Sequence, residues 1–262
     1  MSKIEAVILD WAGTTVDFGS MAPVNAFIKA FEAFGIIPTV EEVRKPMGML
    51  KWDHVHTMLK MPRIAEQWEK THGKIWTKED VDKIYQLCES SIMAILKDFA
   101  EPKPYVVETV NALKKKGIKI GSTTGYTDAM MDVVAKEAAL QGYSPDCWFS
   151  PNSVGDKGRP YPYMIFKNLE TLGVSSVTAA IKVGDTISDI KEGKNAGLIS
   201  VGIIEGSSLM GLSYEEYENL SKTENENLSK EVEKKYMENG ADYVIKNMSH
   251  LEDLIEEINQ NA

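Results

Sequence analysis

The chain has 262 residues, 43% of them hydrophobic and 26% charged, the proportions of a globular protein with ample apolar material for a core. Its 29 basic against 39 acidic residues leave a net charge of -10, which disfavours nucleic acid or an anionic membrane as a partner, since either needs a basic footprint. Two cysteines, Cys88 and Cys147, lie far apart with no CxxC spacing, so neither a disulfide framework nor a structural zinc site is expected.

The opening MSKIEAVILDW has one lysine and a short apolar run, Ala6 to Leu9, cut off by Asp10. That run is too short for a signal peptide, and none elsewhere approaches the ~20 apolar residues of a membrane span. The expected location is cytoplasmic. From Met21 to Phe99 the pattern is helical instead: Val24, Phe27, Phe31 and Phe34, then Ile84, Leu87, Ile92, Ile95 and Leu96. Pro38, Pro46 and Pro62 punctuate it as proline does at helix starts and breaks. Pro102 and Pro104 mark the return to short Ile- and Val-rich runs at Ile118–Ser122, Ala179–Val183, Ile199–Ile203 and Asp242–Ile245. Strands alternating with helices predict a Rossmann-like α/β core, its parallel sheet covered on both faces. The expected organisation is a discontinuous core, residues 1–20 and 100–262, with a helical domain, 21–99, inserted after the first strand.

The acidity is unevenly placed. From Tyr214 onward there are 13 acidic and 5 basic residues, a net of -8, leaving -2 for the preceding 213. Segments such as YEEYENL and HLEDLIEEI read as solvated helix faces, so the net charge does not bear on what binds elsewhere.

In open α/β sheets ligands bind beyond the carboxyl ends of the strands. Asp10 ends the first strand, Ser122-Thr123-Thr124-Gly125 the second, and Gly184-Asp185 with Asp189 a later one, while Arg159 stands in a loop before a helix. Each alone has a bland explanation, an aspartate at a strand end being commonly a helix N-cap. Four such groups in this order on one sheet edge point to a site. Asp10 with Thr14, Thr124-Gly125, Arg159, and Asp185 with Asp189 resemble the four-motif set of the haloacid dehalogenase superfamily. The resemblance implies that Asp10 is a nucleophile accepting a phosphoryl group and that Thr124 and Arg159 hold the phosphoryl oxygens. It also implies that Mg²⁺ is bound by Asp10, the backbone carbonyl of Ala12 and Asp185, with Asp189 behind them. Thr123 and Thr124 remain alternatives for the hydroxyl, the Thr-Gly pattern favouring Thr124. Such chemistry depends on positioning and charge neutralisation, and hard oxygen ligands suit Mg²⁺.

Phosphatases of that superfamily usually carry a second aspartate two positions after the nucleophile, as general acid to the leaving alcohol; here it is Ala12. The helical segment offers a different device, RKPMGMLKWDH, in which His54 follows Lys51 at i+3 and shares its helix face. Spacing alone favours a surface lysine packed on methionines; the missing acid at Ala12 reverses that balance. WAGTTVD, RKPMGMLKWDH, GSTTGY, GRPYP and KVGDTISD together resemble the phosphonoacetaldehyde hydrolase family, the phosphonatase branch of the superfamily, over nearly the whole chain. That resemblance implies hydrolysis of a P–C bond in 2-aminoethylphosphonate degradation, with Lys51 forming a Schiff base to the aldehyde. The imine takes up the electrons of the breaking bond, no alcohol leaves, and an acid at position 12 is unnecessary. His54 is a candidate proton relay. Met47 and Tyr126 are candidate pocket residues, with core packing the alternative for both; Met49 is expected in the core.

An ordinary lysine, pKa ~10.4, is neutral in roughly one copy in 2,500 at pH 7. Half neutrality there needs a drop of about 3.4 pH units, about 4.6 kcal/mol against the charged form, for which burial beside Arg159 and Mg²⁺ is the expected source. Two other readings stand beside this one: a Mg²⁺-dependent phosphatase or phosphomutase acting on a small phosphate ester, and a non-catalytic binder of phospho-ligands. The resemblance also implies a homodimer through the helical domain. Met21, Phe27, Phe31 and Phe34 supply apolar surface for it, or else for that domain's own core.

Overall fold

The computed structural model describes residues 3–261. Six strands, β1 (Ala6–Leu9), β2 (Lys119–Thr123), β3 (Cys147–Phe149), β4 (Ala180–Gly184), β5 (Ile199–Ile203) and β6 (Tyr243–Ile245), form one sheet in the order β3-β2-β1-β4-β5-β6. Every pairing is parallel. Covered on both faces, β1 and β4 are buried at every position, which is why β1 reads as an unbroken apolar run and β4 as one broken only by Lys182, rather than as alternations. Five of the strands match the expected segments to within a residue or two. The sixth, β3, is absent from the sequence reading. It is a three-residue edge strand whose residues are only half-buried, so it has neither the length nor the continuous apolarity that marks the others.

Between β1 and β2 lie α1 (Met21–Glu32), α2 (Val40–Arg44), α3 (Lys51–Leu59), α4 (Pro62–His72) and α5 (Lys78–Ile95). Capping boxes start α2 at Thr39 and α5 at Thr77, and Pro62 opens α4, where its missing N–H has no intrahelical partner to lose. These helices have their own apolar core around Phe27, Phe31, Val55, Leu59 and Trp68. Phe27 and Phe31 are fully enclosed in it, so neither supplies a free apolar face for a dimer. Leu87, expected inside, is exposed, and Met49 is half-buried outside that core.

The remaining helices are α6 (Val106–Lys115), α7 (Asp128–Leu140), α8 (Tyr163–Leu172), α9 (Ile187–Ala196), α10 (Tyr214–Glu218), α11 (Lys222–Glu238) and α12 (Leu251–Gln260). Val7, Leu9, Ile120, Val183 and Val201 pack with α6, α7 and α12 on one sheet face, while Ile8, Ala180 and Ile165 pack on the other. The carboxyl ends of β1, β2 and β4 therefore open side by side.

Candidate active site

The centre of the site is built by a tight turn after β1. The Trp11 carbonyl accepts the N–H groups of Thr14, Thr15 and Val16, curling the chain back over Asp10. Gly13 has φ +85°, and a Cβ there would collide with the Asp185 carboxylate, so the turn needs glycine for both reasons. The Thr14 hydroxyl donates to Asp185 Oδ1 at 3.2 Å, and the Ser208 N–H donates to Oδ2 at 2.8 Å. Residues at the ends of β1 and β4 are thereby locked together.

Arg159 is enclosed by carboxylates. Its Nη2 donates to Asp10 Oδ1 at 2.6 Å and to Thr123 Oγ1 at 2.8 Å, and its Nε donates to Glu192 Oε2 at 2.9 Å. Nη1 is ion-paired with Asp189 Oδ1 at 3.1 Å, a contact without hydrogen-bond geometry. Burial works against its charge, yet Asp10, Asp189 and Glu192 together raise its pKa above the ordinary value. Lys182, fully buried in β4, pairs with Asp189 at 2.9 Å and donates to Thr123 Oγ1 at 2.8 Å. Burial would raise the Asp189 pKa, but Arg159 and Lys182 outweigh it and hold that carboxylate ionised.

Across from this cage, Lys51 begins α3 with 3% of its surface exposed. Its Nζ lies 5.0 Å from the Tyr126 ring centre and 5.8 Å from that of Phe27. Burial lowers its pKa from 10.5 to about 8; Asp10 opposes this shift and Arg159 adds to it. The drop expected from sequence is mostly present and its main cause is desolvation.

Asp10, Ala12, Ser20, Met47, Gly48, Lys51, Thr124, Gly125, Tyr126, Arg159 and Thr186 surround one cavity of only ≈ 20 Å³, room for about a single water-sized sphere. The helical insertion is tied down over it. Arg44 Nη1 donates to the Gly19 carbonyl at 2.7 Å and to that of Ser208 at 3.2 Å, and Ser188 Oγ donates to the Met47 carbonyl at 3.1 Å. A Cβ on Gly125 would lie 2.7 Å from the Met49 carbonyl oxygen, so glycine lets the two halves meet.

Oxygens of Asp10, Asp185 and Asp189 lie within 4.8 Å of one another, all buried. Burial, then the charges of Asp10 and Asp189, push the Asp185 pKa well above its ordinary value. Buried carboxylates that repel one another in this way, all of them hard oxygen donors, fit a small divalent cation. Asp189 is already neutralised by Lys182 and Arg159, which leaves Asp10 and Asp185 as the pair best placed to hold it.

Seven of the residues singled out from sequence meet at this cavity: Asp10, Ala12, Met47, Lys51, Thr124, Tyr126 and Arg159. Asp185 and Asp189 lie against Asp10. Thr123, the alternative to Thr124, points into the cage and has its oxygen engaged by Arg159, Lys182 and Glu192. His54 is buried behind Lys51, stacked on Phe27 with ring centres 3.8 Å apart. It does not line the cavity, and burial followed by the Lys51 charge pushes its pKa well below 6.5. Ser20, Thr186, Lys182 and Glu192 escaped the sequence reading. Lys182 had a legible signal, since a lysine inside an apolar strand run must find a buried partner. Glu192 sits three residues after Asp189 and shares its helix face.

A parallel sheet whose strand order reverses at β1, with an aspartate after β1, hydroxyls ending β2 and paired carboxylates after β4, is the arrangement of an α/β hydrolase with its site at the carboxyl ends of the strands. Residues 4–197 match the haloacid dehalogenase-like hydrolase family, and the chain belongs to it. It is 53% identical to a phosphonoacetaldehyde hydrolase of Lysinibacillus sphaericus over 98% of this chain and 96% of that one. It is 51% identical to a bifunctional phosphonoacetaldehyde hydrolase/aminoethylphosphonate transaminase of Clostridioides difficile, over 97% of this chain and 40% of that protein. Among solved structures, a phosphonoacetaldehyde hydrolase-like protein from Oleispira antarctica superposes with a TM-score of 0.96 at 37% identity, over 99% of this chain and 94% of that one.

Proposed function

We propose that this hydrolase cleaves the P–C bond of phosphonoacetaldehyde to acetaldehyde and phosphate. The observation that carries the reading is a buried lysine of lowered pKa facing the same small cavity as the Asp10 carboxylate. The names of its relatives point the same way. Residues 21–99 act as a cap over a core of 1–20 and 100–262, and the protein works as a homodimer through the cap, which rests on the family resemblance.

The neutral Lys51 amine adds to the substrate aldehyde and, with loss of water, gives a protonated imine. Asp10 attacks phosphorus, the P–C electrons flow into the imine, and an enamine remains on Lys51. A carbon leaving group of this kind needs no proton from position 12, where Ala12 supplies none. Water then hydrolyses the aspartyl-phosphate, the enamine is protonated on carbon, and hydrolysis of the resulting imine returns Lys51 and acetaldehyde. Arg159 and Thr124 hold the phosphoryl oxygens, and Met47 and Tyr126 exclude water around the imine. Mg²⁺ held by Asp10, Asp185 and the Ala12 carbonyl would supply charge neutralisation for the phosphoryl group. His54, neutral at physiological pH, relays protons to Lys51 through cap motion or a water.

Borohydride added with substrate should leave a reduced two-carbon adduct on Lys51, detected by peptide mass spectrometry. Phosphate release without any adduct would overturn the imine. Greater activity on a panel of phosphate esters than on phosphonoacetaldehyde would overturn the substrate assignment.

A further inference from the structure

Beneath Arg159 lie two side chains that the proposed reaction steps leave without a task. Arg159 comes from a loop before α8, and its long side chain has to hold a single guanidinium orientation to present donors at Asp10. Glu192 of α9, wholly buried, accepts from Arg159 Nε at 2.9 Å and from Thr123 Oγ1 at 2.9 Å. Thr123 gives its only proton to Glu192, so its oxygen acts as acceptor toward Arg159 Nη2 and Lys182 Nζ, each at 2.8 Å. The Nε–Nη2 edge of the guanidinium is thus gripped from below, while Nη1 pairs with Asp189 at 3.1 Å. A guanidinium is planar with donors in a fixed fork, so fixing that edge fixes where Nη2 meets Asp10.

Stability alone does not account for Glu192. Desolvating a carboxylate costs several kcal/mol per ion, and a set of apolar residues in place of a whole buried ion cluster commonly serves the fold as well or better. We infer that Glu192 is a positioning residue: through its own bond and that of Thr123 it sets the rotation of Arg159, so that Nη2 faces Asp10 and the phosphoryl group moving onto it. This rests on the reading of Asp10 as phosphoryl acceptor. The hydrogen bonds and ion pairs of Glu192 run to Arg159, Thr123 and Lys182. None of these contacts is with Lys51, so imine formation should be affected far less than phosphoryl transfer, which gives the inference its distinguishing signature.

The test compares Glu192→Gln, Glu192→Ala and Thr123→Val in the full chain with Mg²⁺ present. Phosphate release, borohydride trapping of Lys51 and thermal melting are measured for each. A misplaced Arg159 should lower kcat by on the order of 10²-fold, the cost of an ångström-scale misplacement, with KM changed by less than about threefold and trapping at wild-type extent. Glu192→Gln, which keeps an acceptor for Nε, should recover part of the loss seen in Glu192→Ala. Unchanged kcat in folded variants would overturn the inference, as would a parallel loss of trapping and turnover. Failure of all three variants to fold would also overturn it, making the cage structural. A wild-type protein that gives no Lys51 adduct would instead refute the proposed function, which separates the two failures.

Discussion

The depressed pKa of Lys51 makes the sharpest prediction. Burial takes it from 10.5 to about 8, about 3 kcal/mol against the charged form. At pH 7 about 9% of the amine is then neutral, against about 0.03% for an unperturbed lysine, a gain of roughly 300-fold in the reactive form. The perturbation is pH itself. Acetaldehyde with cyanoborohydride, followed by quantitation of the Lys51 peptide, reads imine formation without requiring P–C cleavage. The adduct rate should rise about tenfold per pH unit below 8 and level off above it, because deprotonation there is already complete. A rate climbing steadily beyond about pH 9.5 would show an ordinary lysine, and burial would no longer account for its reactivity.

Asp10→Asn should abolish phosphate release while trapping persists; since Asp10 favours the charged amine, the trapping midpoint should move below about pH 8. A midpoint shifted upward would refute the electrostatics. Mg²⁺ should raise the melting temperature of the wild-type protein by relieving the repulsion among Asp10, Asp185 and Asp189, as binding to the folded state alone does; the rise should be largely lost in Asp185→Asn, and an equal rise in both, measured by calorimetry, would place the ion elsewhere. His54 has a folded pKa well below 6.5. The unfolded chain therefore takes up a proton that the folded one refuses, and stability falls as pH drops through 6.5. His54→Phe preserves a ring against Phe27 and should shrink the stability lost between about pH 7.5 and 5 in denaturant titrations; an acid limb identical to wild type would contradict this.

Much of this protein is legible in its amino-acid sequence. Buried parallel strands are mostly apolar, so AVIL, IKIGS and ISVGI declare themselves as short Ile- and Val-rich runs, and residues at strand ends fall at ligand positions in an open sheet whatever the details of packing. Asp10, the Thr123-Thr124 pair and Asp185 follow from that rule and Arg159 from the motif order, while Ala12 and Lys51 stand out because each departs from what a simple phosphatase requires. The edge strand Cys147–Phe149 carries too little burial to leave a pattern, and the helical segment's aromatic residues fit an interface as well as an interior.

Other features depend on contacts between segments far apart in the chain. Chain order fixes which groups reach the sheet edge, but a pKa depends on what surrounds a group in three dimensions. The burial that brings Lys51 to about 8 comes from residues on the cap and the core together. Likewise, Glu192 and Lys182 look like isolated charges until β2, β4, α9 and the Arg159 loop bring them within hydrogen-bonding distance. The sequence alone determined the order of these groups along the chain and the residue types that meet at the sheet edge. Only tertiary packing decided which of Thr123 and Thr124 faces the cavity, and that His54 stands behind Lys51 instead of beside the substrate. A side chain's direction and its exclusion from water are set by all the segments meeting around it, and no local pattern encodes that sum.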